Sequence, residues 1–173
     1  MKGVVFTEFI EFVENNFGFE GSDNMIKDSG LSGVYTQAGN YPFEEMVALI
    51  AALSKEQGIG VDELLEKYGQ QLFAKLASLY PHIHKFSSAF DIITHVDNII
   101  HPEVQKLYPE AELPSFKLIK EDAHKLTLEY ISHKSLHHLA KGLILGVAKY
   151  YKEDLHVEIY EDKLPIIIEV TKN

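Results

Sequence analysis

The hydrophobic pattern of this chain changes period once, and that change constrains its fold more than any other feature. The first two-thirds carries apolar residues every three or four positions. Phe6, Phe9, Ile10, Val13 and Phe17 share one side of a predicted helix, with Glu8, Glu11 and Glu14 on the other. Gly18 and Gly21 close it, and a short helix over Asp23–Asp28 is expected before Gly30 and Gly33. Pro42–Ser54 reads as a helix with proline at its first position, Glu44 and Glu45 in its first turn, and a stripe of Met46, Leu49, Ile50 and Leu53. Gly58 and Gly60 break it. Val61–Leu79 follows with Leu64, Leu65, Tyr68, Leu72, Leu76 and Leu79 inward, and Pro81 ends it. Lys85–Ile100 is the next expected helix, carrying Phe86, Phe90, Ile93 and Ile100.

Beyond that the period becomes two. Ser115–Ile119 and His124–Ser132 alternate as strands around a turn at Glu121-Asp122. Ser135–Tyr151 returns to helix, and Leu155–Tyr160 with Leu164–Val170 forms a hairpin around Glu161-Asp162-Lys163. The expected class is α+β: a helical part, then a four-stranded antiparallel sheet with one inserted helix. No linker or repeat interrupts residues 1–173, which read as one folding unit or as two tightly packed subdomains.

Composition narrows the function. The chain has no cysteine, which excludes disulfides, thiolate metal sites and cysteine nucleophiles. Its net charge of -10 argues against nucleic-acid binding. No apolar run reaches the length of a membrane span, and no signal peptide is evident, so a cytoplasmic location is expected. All sixteen basic residues are lysine. Arginine, the usual bidentate partner of carboxylates, is missing.

Three groups of residues could carry chemistry. His101 follows an apolar helix and precedes Pro102. Proline donates no amide hydrogen, so a carbonyl near Asn98 is left free to accept the ring N–H, which would leave the other nitrogen for a metal. A helix end that happens to hold a histidine has the same spacing. Tyr130, Ser132 and Lys134 alternate, so on a strand they would present two hydroxyls and an ammonium on one face, a receptor for a carboxylate. An edge-strand Tyr–Ser pair beside a solvated lysine reads identically. Val5, Phe9, Leu72, Leu76, Leu139 and Leu143 offer an apolar lining without a side-chain donor, or simply core. The other histidines, His82, His84, His95, His124, His133, His137, His138 and His156, read as surface residues: two pairs have spacings zinc could use, but no HExxH motif supports them. No nucleophile triad, P-loop or G-x-G-x-x-G is present.

The run His101-Pro102-Glu103-Val104-Gln105-Lys106-Leu107-Tyr108-Pro109, then Leu113-Pro114-Ser115-Phe116, then Tyr130-x-Ser132-x-Lys134, resembles the H-NOX family, the haem nitric oxide/oxygen-binding domains related to the haem domain of soluble guanylate cyclase. The opening Met1-Lys2-Gly3 is similar as well, and the resemblance covers essentially the whole chain. It implies a single haem-binding domain over 1–173, with haem b held between a helical distal part (about 1–60) and a proximal part (about 61–173), His101 as iron ligand, Tyr130 and Ser132 on the propionates, and Pro114 pressing on the porphyrin. Lys134 stands where the family places arginine, keeping the charge without the planar fork. Members that bind oxygen stably carry a distal tyrosine at the position matching Leu139; with Phe9 and Leu72 at the other distal positions, no donor is expected there.

The resemblance therefore implies a sensor rather than an enzyme, binding nitric oxide and carbon monoxide at ferrous haem and discriminating against oxygen. By likeness to stand-alone bacterial members, the expected effector is a separate histidine kinase or cyclic-di-GMP enzyme. The residues alone also admit a haem-free binding module for a lipophilic carboxylate, or a zinc-dependent hydrolase built from the spare histidines.

Overall fold

The computed structural model describes residues 1–173, the side chain of Pro81 excepted. Helix α1 (Gly3–Ser29) is broken at Gly18, whose φ of 77° and ψ of 173° suit only a residue without a Cβ. The expected interruption is there, but helix resumes at once after it rather than at Asp23. Lys2 provides no side-chain cap at the start of α1. Instead, Gly3 N–H donates to the Gly39 carbonyl at 2.8 Å and Val4 N–H to that of Gln37 at 3.1 Å.

Helix α2 (Phe43–Gln57) places Pro42 at its cap, and Gly58 ends it with a φ of 64°. Helix α3 (Val61–Leu79) has the expected limits. The expected helix over Lys85–Ile100 is not continuous. A 3-10 turn covers Pro81–Lys85, Phe86 is extended, and Ser88 starts α4 (Ala89–Thr94) by accepting the Asp91 N–H at 3.1 Å. A π-helical turn over Val96–Ile100, in which Ile100 N–H reaches the His95 carbonyl at 3.4 Å, then leads into α5 (His101–Leu107).

The four strands are β1 (Ser115–Glu121), β2 (Lys125–Ile131), β3 (Leu155–Tyr160) and β4 (Ile166–Lys172). They form one antiparallel sheet in the order β1-β2-β4-β3, with Phe116, Tyr130 and Ile166 in register across it. Helix α6 (His137–Tyr151) links β2 to β3. The α+β class and the four-stranded antiparallel sheet are therefore as expected.

Two apolar clusters form the interior. One joins α1, α2 and the first half of α3 around Phe6, Phe12, Met25, Leu49 and Leu64. The other packs α4, α6 and the sheet around Ile92, Leu126, Leu128, Ile144 and Ile168. Helices α3 and α6 belong to both, and Leu76 and Leu143 touch each cluster. These two helices meet backbone to backbone: a Cβ on Gly142 would stand 2.3 Å from the Glu66 carbonyl oxygen, and one on Gly69 2.5 Å from that of Leu139. The close approach sets Leu72 and Leu76 opposite Leu139 and Leu143 along the space between the clusters.

Candidate functional site

That space is a cavity of about 260 Å³ whose lining is almost entirely apolar. Ten of the candidate residues line it: Val5, Leu72, Leu76, His101, Pro114, Tyr130, Ser132, Lys134, Leu139 and Leu143. Phe9 does not. It is fully buried in the helical cluster, edge-on to Tyr68 with ring centroids 5.1 Å apart, while the Tyr68 hydroxyl donates to the Val5 carbonyl at 2.6 Å. An apolar stripe shows that Phe9 is inward but not whether it meets a cavity or a neighbouring ring.

His101 is mostly buried at the first turn of α5, with its ring near that of Phe116. Its Nδ1 lies 3.1 Å from Oδ1 of Asp97, one turn earlier. The partner of the imidazole is thus a carboxylate and not the freed carbonyl expected from Pro102. The same carboxylate is anchored on the sheet: Ser115 Oγ donates to Oδ2 at 2.5 Å and Phe116 N–H at 2.9 Å. Burial lowers the pKa of His101 below the ordinary histidine value, with Asp97 opposing the shift. The ring is therefore neutral at pH 7, and with Asp97 Oδ1 beside Nδ1 and otherwise without a partner, a proton on Nδ1 would leave the lone pair on Nε2.

Tyr130, Ser132 and Lys134 do meet, but not by strand alternation. Strand β2 ends at Ile131, and the chain then turns. Lys134 N–H donates to Ser132 Oγ at 3.1 Å, and the Tyr130 hydroxyl donates to the Lys134 carbonyl at 3.3 Å. Nor is the cluster free of acid: the Lys134 ammonium donates to Glu112, also on the cavity wall. That hydrogen bond holds the Glu112 carboxyl below its usual range. Lys2 adds a second cation to the wall, 3.3 Å from Glu110. Sequence spacing could not pair either lysine with glutamates many residues away.

Tyr80 was also unanticipated. It lies on the cavity wall with a buried hydroxyl lacking a protein partner, and burial, then Tyr108 and Glu103, push its phenol up to about 12. The cavity thus contains a tyrosine donor, near the helix that carries His101 rather than at Leu139. His137 and His138 are not surface residues either; their side chains are 12% and 15% exposed.

A buried neutral imidazole at an apolar cavity with cations at its rim points to haem, and the comparisons agree. The family model described as Haem-NO-binding matches residues 2–159. The chain belongs to this family. An Fe(II) unliganded H-NOX protein from K. algicida is 34% identical, with a TM-score of 0.92 over 100% of this chain and 97% of that one. The H-NOX of Shewanella woodyi, solved with IWP-051 bound in the Fe(II)CO state, is 33% identical with a TM-score of 0.83, over 100% and 95% of the two chains. An H-NOX protein from S. oneidensis in the Fe(II)NO state shares the fold at 22% identity and a TM-score of 0.90, over 100% of both chains. No curated protein matches the chain. H-NOX domains bind haem and are gas sensors rather than catalysts. Neither the haem-free carboxylate module nor the zinc-dependent hydrolase finds support among these relatives. Among the described residues, no helix is long and apolar enough to cross a membrane.

Proposed function

We propose that this H-NOX domain binds haem b in the cavity and senses nitric oxide, and also carbon monoxide, while discriminating against oxygen. The observation that carries the reading is His101, a buried neutral imidazole with Nδ1 beside Asp97, on the wall of an apolar cavity. When bound, haem supplies an iron position at which a diatomic gas can bind. His101 would hold that iron through Nε2. Tyr130, Ser132 and Lys134 would receive the propionates, with Lys134 exchanging Glu112 for a haem carboxylate. Pro114, on the wall just before β1, would pack against the ring.

Selectivity rests on the distal wall. Val5, Leu72, Leu76, Leu139 and Leu143 offer no hydrogen-bond donor in their side chains. Bound oxygen carries partial negative charge and gains from a donor, whereas nitric oxide and carbon monoxide depend on one far less. The signal would leave through Asp97, which couples the imidazole to Ser115 and Phe116, so displacement of His101 is felt at the edge of the sheet. The proposed receiver is a separate cytoplasmic histidine kinase or cyclic-di-GMP enzyme, towards whose basic surface a net charge of -10 would steer.

The test is the visible spectrum of the ferrous protein before and after nitric oxide. A Soret band that shifts with nitric oxide and with carbon monoxide is expected, with no stable oxy complex in air. A colourless protein after haem supplementation overturns the haem reading, and a stable oxy spectrum overturns the selectivity.

A further inference from the structure

Outside the cavity, the start of α6 forms a second constellation with α3 and the β3–β4 turn. One ligand atom each from His137, His138 and Glu161 lies within 4.8 Å of the others. Nε2 of His138 is 2.8 Å from Oε1 of Glu161, and Nε2 of His137 is 3.4 Å from the same oxygen. From α3, Oδ2 of Asp62 comes within 3.7 Å of His138 Nε2. On the other side of that ring, Nδ1 is 2.9 Å from Oε1 of Glu66, which Lys141 also holds at 3.0 Å.

The arrangement gives His138 two carboxylates and, when neutral, one proton. With Nδ1–H donated to Glu66, Nε2 presents a lone pair to the Glu161 oxygen, an acceptor facing an acceptor. A cation between them removes the conflict. The charges ask for the same thing: Asp62, Glu66 and Glu161 against Lys141 leave two negative charges around two imidazoles. Nδ1 of His137 is buried without a protein partner, so that ring's polar engagement is with Glu161 alone.

We propose that His137, His138 and Glu161 bind one divalent transition-metal ion, for which zinc is the natural probe. Two imidazoles and a carboxylate are a borderline donor set suited to Zn²⁺, and Asp62 is placed to supply a fourth oxygen. Glu66 is the positioning residue: it holds Nδ1 of His138 and so aims Nε2 at the ion. The site is a tie rather than a hydrolytic centre, joining α3, the start of α6 and the β3–β4 turn. It also reaches the haem cavity. The His137 ring stands edge-on to Tyr130 with centroids 6.2 Å apart, and Leu139, the residue after His138, is on the cavity wall. The inference stands on these side chains and does not need the haem reading.

The test is calorimetric zinc titration of the 173-residue protein, with and without added haem, alongside His138→Gln, Glu161→Gln and the double variant His82→Gln/His84→Gln. About one zinc per chain is expected for the parent and the His82/His84 variant. His138→Gln and Glu161→Gln should each weaken binding by at least about tenfold, and Glu66→Gln should weaken it without abolishing it. Glu161 is exposed in a turn, so its variant is informative even if His138→Gln folds poorly. Absence of saturable zinc binding, or affinity unchanged in Glu161→Gln and lost in His82→Gln/His84→Gln, overturns the proposal.

Discussion

The carboxylate of Asp97 is shared between His101 and the sheet: Oδ1 lies 3.1 Å from the imidazole Nδ1, and Oδ2 accepts from both Ser115 and Phe116. Burial lowers the His101 pKa, and the Asp97 carboxylate opposes the shift. The unfolded chain therefore binds this proton first as pH falls. The stability contributed by the neutral ring is complete above the unfolded value of about 6.5 and is lost as pH falls from there through the folded value. Asp97→Asn removes the charge that favours the imidazolium, so the folded pKa should drop further. A histidine NMR titration of the two proteins measures it, and an upward move would contradict the geometry.

Lys134 and Glu112 define a competition. Glu112→Gln leaves the ammonium uncommitted, and haem affinity should rise by about two- to fivefold. Lys134→Met removes the charge and should lower affinity on the order of tenfold. Haem transfer to an apo-globin acceptor reads both as dissociation rates. Equal rates in all three proteins would mean that Lys134 makes no contact with the propionates.

Leu139→Tyr places a hydroxyl where the apolar wall now stands. The variant should move towards a stable oxy complex that the parent lacks, because a donor to the partly negative oxygen is worth about tenfold or more in affinity. The visible spectrum of the ferrous variant and parent in air reads it, with carbon monoxide affinity changing far less.

Gly142→Ala tests the packing of α3 on α6. A methyl 2.3 Å from the Glu66 carbonyl oxygen forces the helices apart. The expected cost is about 1–3 kcal/mol. Calorimetry should show the melting temperature falling by roughly 2–4 °C for each of those kcal/mol.

Helical and alternating periods located every strand and most helices, because each period follows from which side of an element is buried. Val61–Leu79 and Leu155–Tyr160 were legible to the residue. What local pattern concealed were features decided by partners distant in sequence. The helix expected across Lys85–Ile100 breaks where Ser88 caps α4, a signal present in the chain but subordinate to the apolar stripe around it. The π-turn before His101 has no periodic signature. At the site, His101 and the Tyr130–Ser132–Lys134 cluster could be named from spacing, but the partners that set their chemistry could not. Asp97 is acidic like many residues of this chain, and only the fold sets it between α5 and β1. Glu112, Lys2 and Tyr80 come from loops and a helix end that carry no pattern. Phe9 shows the opposite: its stripe is genuine and its ring fully buried, yet a ring packed in a core and a ring facing a cavity look alike in sequence.

The start of α1 rests on carbonyls of Gln37 and Gly39 instead of a side chain of its own. The turn that carries Val5 is therefore closed by a loop more than thirty residues downstream, and the entropy of bringing that loop back must be met before its first amides gain partners. Order of assembly follows from this. The main body of α1 can consolidate on α2 by neighbouring contacts, while the edge bearing Val5 waits for a long-range closure. In hydrogen exchange, Gly3 and Val4 should report the opening of the 37–39 loop rather than the fraying of an ordinary helix end. The stretch of cavity wall formed by Val4 and Val5 therefore depends on a contact made far along the chain, separable from the stability of either core.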